Sequence, residues 1–478
     1  MSLPCSSLLM QLLAQTASVC NDDQALLLCL RDYAFFALPA AGAARWLSGA
    51  RKDEARMDNS FRILKLGLCR YESSLPSAFF IPEKAAILVD ATADGCRKCS
   101  GRPAVMEAAG PRKCLFFDAR RTAAAIVTCG GLCPGLNDVI RALTMVLWHE
   151  YGVRSILGIR YGYEGLVESI GHRPLRLTPD KVEDIHQDGG TILGSSRGHQ
   201  PVEAMADFLE RRKIDILFTV GGDGTQRGAL ALVRELARRG RKTAVVGIPK
   251  TIDNDICYTE RTFGFETAVA MSRLPITCAH MESKGVRNGV GLVKLMGRES
   301  GFVAAYATLA SSDVNLVLVP EVPFRIEKVL EFLRARLRRK RHAVIVVAEG
   351  AGQDIVGASG TDASGNRKLG DIGVHLRNVI TERFRDEGFP VAVRYIAPSY
   401  TIRSAPAEPD DSVFCFRLAE NAVHAAMSGR TGMIVGLWNG QFVNVPMEKA
   451  VSRRKRIDPN SPLWRSVLDN TGQPPSLV

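Results

Sequence analysis

Nowhere in the 478 residues is there an uninterrupted apolar run of the roughly 18 to 20 residues that a membrane-crossing helix needs. The longest run near the start, Ala34 to Ala44, is interrupted by Pro39. Membrane partners are therefore not expected. Basic residues are missing ahead of Arg31, and Asp22 and Asp23 precede it, so no secretory signal is expected either. Histidine is scarce, and none precedes His149. Cys96 and Cys99 form a CxxC without the two further ligands a zinc site requires, and the pair reads as a surface loop with free thiols. The 12 cysteines show no even, regular spacing, which favours a reducing compartment over a disulfide framework.

Aromatic residues are sparse in the basic stretches Arg334 to Arg341 and Arg453 to Arg456. Without rings to stack bases, the formal charge of +12 does not indicate nucleic acid, and these stretches read as a solvated helix face and a surface segment. With 46% hydrophobic and 23% charged residues, the chain has material for two or three cored domains, and disordered and collagen-like classes are excluded.

The pattern changes near residue 115. Before it no sustained period appears, and Gly, Pro and Cys are scattered through Asp90 to Pro111. After it, short aliphatic runs alternate with amphipathic helical patterns, as in βαβ units around a parallel sheet. Strands are predicted at Ala123–Thr128, Ser155–Arg160, Ile214–Val220, Ala244–Pro249, Gly289–Leu295, Asn315–Val319, Ala343–Ala348 and Val391–Ile396. Helices are predicted after an Asn137 cap and at Gln226–Arg239, Met271–Lys284, Arg298–Ala310, Arg325–Arg339, Gly373–Asp386 and Asp411–Met427. Pro275 falls inside one of them, where it should break or kink the helix at a cost of about 3 kcal/mol. The fold class is α/β, with two Rossmann-like three-layer domains, mainly parallel sheets and an N-terminal extension.

In open α/β sheets ligands bind beyond the carboxyl ends of the strands, so the residues after each strand carry the functional reading. Cys129 to Asn137 is a Gly-rich turn into a helix N-terminus, an anion site that is neither GxGxxG nor a P-loop. In Gly221-Gly222-Asp223-Gly224-Thr225, the glycines admit a polyphosphate and Asp223 can hold Mg²⁺ on its oxygens. This motif indicates a phosphoryl donor and leaves the acceptor open. Lys250 to Asp255 sets Asp253 and Asp255 two apart, on one side of extended chain, as a base and its partner would be. Arg197, Arg298 and Arg403 offer guanidinium forks for phosphate, and Glu349 an acid for sugar hydroxyls.

Seven segments, Thr128–Arg141, Gly189–Gly198, Thr219–Ala229, Pro249–Ile256, Lys294–Phe302, Val347–Asp354 and Pro398–Ser404, together resemble the 6-phosphofructokinases in order and spacing over residues 114 to 465. The wording is most similar to the plant and trypanosomatid branch of the ATP-dependent enzymes. The resemblance implies MgATP and fructose 6-phosphate as substrates, Mg²⁺ as cofactor, a glycolytic and allosteric homotetramer, and a cytoplasmic location with plastid or another organelle left open. The ending Ser476-Leu477-Val478 is not a peroxisomal address.

By the same resemblance Gly130, Arg197, Gly222, Asp223, Gly224, Thr225 and Lys250 face the nucleotide, with Asp223 as metal ligand. Thr251, Asp253, Asp255 and Arg298 form the catalytic set, with Asp253 as base for the sugar's 1-hydroxyl. Thr251, Asp253, Met296, Gly297, Arg298, Glu349, Arg394, Tyr400 and Arg403 contact the sugar phosphate. The implied domains are 114–264 with about 402–452 for nucleotide, 265–401 for sugar phosphate, an unassigned extension 1–113 for targeting or subunit contact, and a C-terminal segment 453–478.

This chain departs from bacterial relatives in having Lys250 for Gly and Gly289 for Arg, which leaves Arg287 as a candidate for the 6-phosphate. Pyrophosphate-using relatives place Asp at the position of Gly224 but share Lys at 250. Pyrophosphate therefore remains an alternative donor, and a non-catalytic regulatory paralogue an alternative class.

Overall fold

The computed structural model describes residues 59–94, 103–357, 360 and 368–478. The Cys96–Cys99 pair lies outside them. Residues 60–91 and 105–478 form one compact unit. The strands of its two main sheets are β1 (Ala86–Leu88), β2 (Val105–Ala108), β3 (Ala123–Thr128), β4 (Ser155–Ile159), β5 (Leu175–Arg176), β6 (Ile216–Gly221) and β7 (Ala244–Pro249), then β8 (Gly289–Leu295), β9 (Leu316–Leu318), β10 (His342–Ala348), β11 (Ala392–Ile396), β12 (Met433–Trp438) and β13 (Gln441–Pro446). They make a nine-stranded sheet, β1-β2-β13-β12-β7-β6-β3-β4-β5, and a four-stranded sheet, β9-β10-β8-β11. The smaller sheet is parallel throughout, and the larger is parallel from β12 to β4 with antiparallel edges.

Helices cover both sheets because the central strands are buried on both faces. They are α1 (Leu136–His149), α2 (Val202–Arg211), α3 (Asp223–Arg238), α4 (Phe265–Lys284), α5 (Phe302–Ser311), α6 (Ile326–Lys340), α7 (Ile372–Asp386), α8 (Ser399–Ser404), α9 (Pro409–Met427) and α10 (Pro462–Thr471). Alternation in the smaller sheet sorts its faces. Val293, Leu295, Val317 and Val346 join the large core shared with α4 and α5, while Val290, Leu292, Ile345 and Val347 pack with Leu333 and Leu376 of α6 and α7.

Register sets the level of the strand ends. Pro249 pairs with Gly221, Thr128 with Val220, and Leu295 with Ala348. The glycine and aspartate turns thus leave neighbouring strands side by side.

Several boundaries differ from the sequence reading. Helix α3 starts at Asp223, three residues before the predicted Gln226, because Gly222 occupies the N-cap and an aspartate in the first turn suits the helix dipole. Helix α5 starts at Phe302, not Arg298, and the Glu321 carboxylate accepts from the Gly301 amide at 3.0 and 3.1 Å. Asn137 lies inside α1, whose N-cap is Gly135 in the left-handed region. Its side chain pins a loop instead, donating to the Asp188 carbonyl and accepting from the Ile192 amide. Strands β12 and β13, joined through Asn439 and Gly440 with positive φ at both, form a hairpin that was not predicted.

Helix α4 runs unbroken through Pro275. Its buried side, Ala268, Val269, Ser272, Ile276, Ala279 and Ser283, packs against β8 closely enough that a Cβ at Gly289 would collide with the Ser283 backbone. That burial outweighs the single hydrogen bond lost at Pro275. The same close approach excludes any side chain, the bacterial Arg included, at position 289.

Part of the stretch read as an extension is built into the larger sheet. Arg430, 1% exposed, pairs with Glu107 and Glu83, and Arg112 donates to the Pro82 and Ala108 carbonyls. These contacts seat β1 and β2 against the unit.

Pro275→Ala should restore the missing amide without disturbing the buried face. We expect stabilisation by about 1–3 kcal/mol, seen as a higher denaturation midpoint with unchanged kcat. A lower midpoint would show that packing of the proline ring is worth more than the bond.

Candidate active site

The glycine turn after β3 and the turn Lys250–Asp255 after β7 are joined by a buried lysine. The Lys250 ammonium donates to the Gly131 carbonyl at 2.6 Å, and burial lowers its pKa, with Arg197 and Arg403 adding to the effect. Gly130 is tied to the neighbouring loop, its amide donating to the Ser196 carbonyl and its carbonyl accepting from the Ser195 hydroxyl. Above Gly131 stand the guanidinium groups of Arg197 and Arg403, 3.1 and 3.5 Å from where a Cβ would be. Cys129 and Cys133, in this turn, are buried, and burial pushes the Cys129 thiol up to about 12, so these sulfurs are packing groups.

Asp223 lies in the first turn of α3, where its carboxylate accepts from Arg227 at 2.9 Å. Beside it a Cβ at Gly224 would meet open space, while Thr225 is buried under Gly221. Gln226, which the sequence reading passed over, is fully buried and donates to the Thr219, Gly221 and Ile248 carbonyls. It locks the ends of β6 and β7 together at the base of the cleft.

The second aspartate turn is folded on itself. The Thr251 hydroxyl accepts from the Asp253 amide at 3.1 Å and also bonds the Asp255 carboxylate. Burial raises the pKa of Asp253 well above the carboxylate range, and the negative charges of Asp255 and Glu349 raise it further. The Arg298 backbone amide, which bonds this carboxylate, pulls the other way, as does Arg454. Asp255 is likewise raised by burial and lowered first by Arg454.

The smaller sheet supplies the opposite wall. Its turns after β8 and β10 interlock, with the Glu349 amide donating to the Leu295 carbonyl and the Gly350 amide to that of Gly297. A Cβ at Gly350 would run into the Arg298 carbonyl, so only glycine permits this approach. Met296 and Arg298 are partly buried here, and the Ser300 hydroxyl donates to the Asp253 carbonyl at 2.9 Å, joining the two walls. Burial raises the Glu349 pKa, opposed by Arg298, Lys294 and Arg403.

Two residues assigned to the sugar phosphate are not drawn in. Arg394, exposed on edge strand β11, pairs with Glu282 at 3.3 Å, and Tyr400, 71% exposed, stacks under Arg403 with the guanidinium 4.6 Å from its ring centre. Arg287 is also exposed.

The basic run Arg453–Arg456 is only in part the expected surface segment: Arg453 and Arg456 are exposed, while Arg454 and Lys455 are partly buried against the aspartate turn, so that the run straps both walls. Lys455 donates from its ammonium to Asn254 Oδ1 and to the Thr259 and Glu260 carbonyls, each at 2.9 Å, and its amide donates to the Asp255 carbonyl at 2.8 Å. Burial brings its pKa down to about 8. On the other wall Arg456 pairs with Glu299 and the Ile457 amide with Glu321. Just ahead of these anchors in the chain, Arg454 stands 3.3 Å from Asp255 and 4.0 Å from Asp223.

A profile of the Phosphofructokinase family matches residues 123–426. The chain belongs to the phosphofructokinase family. It is 45% identical to the "ATP-dependent 6-phosphofructokinase" of Borreliella burgdorferi over 87% of this chain and 97% of that one. It is 48% identical to that of Trypanosoma cruzi over 77% of each. In fold it is similar to a pyrophosphate-dependent phosphofructokinase from Marinobacter aquaeolei, at 19% identity and a TM-score of 0.62, over 73% of this chain and 91% of the other. The aspartate and glycine turns of the cleft lie within the matched residues. The profile match ends at residue 426, ahead of the strap.

Asp255→Asn removes a negative charge that disfavours ionised Asp253, so the pKa of Asp253 should fall. If Asp253 must be ionised to act, the acidic limb of kcat/KM should move to lower pH by on the order of one unit. A pH profile with an unmoved limb would separate the two groups electrostatically.

Proposed function

We propose that this chain is an ATP-dependent 6-phosphofructokinase, transferring the γ-phosphate of MgATP to the 1-hydroxyl of fructose 6-phosphate, the committed phosphorylation of glycolysis. The observation that carries the reading is the meeting of three elements in one cleft: Asp223 beside open space at Gly224, the glycine turn held by Lys250, and an Asp253 whose pKa is raised. The matched relatives carrying that name support it.

In this reading Asp253 accepts the proton as the 1-oxygen attacks the γ-phosphorus. Burial and like charge bring it nearer the working pH, where a general base is most effective. Thr251 and the Arg298 amide hold it in place. Arg298 and the amides of the Gly130 turn face the charge on the transferred group, with Arg197 and Lys250 along the donor phosphates and Gly222 and Thr225 shaping their approach. Met296, Gly297, Glu349 and Arg403 receive the sugar phosphate. Arg394 and Tyr400 join them in a homotetramer, where exposed side chains of one protomer reach a site of another.

Mg²⁺ fits the donor set. Asp223 is one carboxylate with its side chain 18% exposed, and no group of three or more His, Cys, Asp or Glu residues that could hold a metal occurs among the described residues. A cation that keeps its waters and is shared with phosphate oxygens suits such a site. When bound, Mg²⁺ would neutralise the polyphosphate. A nucleotide domain of 114–264 with about 402–452, a sugar-phosphate domain of 265–401 and a cytoplasmic setting complete the reading. No helix among the described residues is long and apolar enough to cross a membrane.

Parallel assays with MgATP and with magnesium pyrophosphate test the donor, and turnover with pyrophosphate alone would overturn it. Asp253→Ser should lower kcat by on the order of 10² to 10⁴ with little change in nucleotide affinity. Gly224→Asp has room to fold, and its second carboxylate beside Asp223 should raise KM for ATP strongly. Unchanged ATP kinetics in this variant would remove Gly224 from the donor site.

A further inference from the structure

The strap 451–457 is anchored tightly on both sides of Arg454, while Arg454 itself is held loosely. The Lys455 bonds are 2.8 and 2.9 Å, and Arg227 holds Asp223 at 2.9 Å while donating to the Val451 carbonyl at the start of the strap. The Arg454 guanidinium, by contrast, reaches two carboxylates only at 3.3 and 4.0 Å, with its side chain 31% exposed to the cleft. Its backbone is fixed by pairing with Ile256. A fixed root and a loosely paired fork suit a cation that exchanges partners. A guanidinium used only to tie the strap down would pair as closely as its neighbours do.

We propose that Arg454 is a tethered cation of phosphoryl transfer. From its place beside Asp223 and Asp255 it turns to the oxygens of the transferred group when a polyphosphate is bound. The chemistry explains the exchange. Asp223 would hold a divalent cation in place of its long pairing with Arg454, and the oxygens of the transferred phosphoryl group would offer the guanidinium its best acceptors. Because that charge is spread most in the transition state, the interaction is stronger there than with bound ATP. The proposal rests on the phosphofructokinase reading, and it assigns a role to a residue outside the family's seven motifs.

The test compares wild type, Arg454→Met and Arg454→Lys by calorimetry, measuring affinity for MgATP and, separately, for MgADP–aluminium fluoride with fructose 6-phosphate, a mimic of the transition state. Methionine should leave MgATP affinity within threefold, weaken the mimic at least tenfold, and lower kcat by on the order of 10² to 10³. Lysine should recover part of both losses. Loss of mimic affinity of less than tenfold in the Met variant overturns the proposal, whether or not kcat falls, because Arg454 would then only secure the strap. If circular dichroism shows the Met variant misfolded, the Lys variant decides, and mimic affinity equal to wild type overturns the proposal. Failure of wild type itself to bind the mimic would count against the phosphofructokinase reading and not against Arg454.

Discussion

Carboxylates crowded together and largely withdrawn from solvent set the conditions that the rest of this structure meets. Asp253 and Asp255 sit two residues apart on one turn, with Glu349 and Asp223 close enough to add to their burden. Burying like charges together is costly unless cations and hydrogen-bond donors surround them. The protein provides these from every direction: Lys250 below the glycine turn, Arg298 and Arg403 across the cleft, and Arg454 and Lys455 from a segment nearly 200 residues further along the chain. The balance is incomplete at Asp253, whose pKa stays raised by burial and by the charges of Asp255 and Glu349.

The geometry is held by polar side chains bonded to backbone. Gln226 ties three carbonyls at the ends of adjacent strands, Asn137 ties the loop before Ile192 to α1, and Ser300 crosses from one wall to the other. Each bonds backbone groups at strand ends or in the turns that follow them. Charged residues can then occupy the cleft without also having to support it.

Much of this was legible in the sequence because parallel strands buried on both faces read as short apolar runs bounded by glycine or charge. Ala123–Thr128, Ala244–Pro249 and Gly289–Leu295 were placed to the residue. The functional turns were legible for a related reason, since glycine and aspartate at strand ends are rare enough to stand out. What escaped depends on long-range placement. Nothing local distinguishes Arg454 and Lys455 from any exposed basic run; only the fold brings them to the aspartates. The β12–β13 hairpin carries its own signal in Asn439-Gly440, a two-residue turn of a kind that parallel units do not contain. Pro275 misled in the opposite sense, because a local penalty was outweighed by burial that no window of sequence reveals.

The short strands β1 and β2 have a consequence at the far edge of the large sheet. β13 carries Phe442, Val443 and Val445 buried, and its outer side pairs with β2 through Val443 and Asn444, which in turn pairs with β1. Without that cover the sheet would end in an apolar strand with open backbone donors and acceptors, a template on which other chains can add. The Arg430–Glu107 and Arg430–Glu83 pairs that hold the cover are thus also a barrier to self-association through strand exchange. For this chain colloidal behaviour, in dilute buffer or in a crowded cell, depends on a few residues placed far from the chemistry.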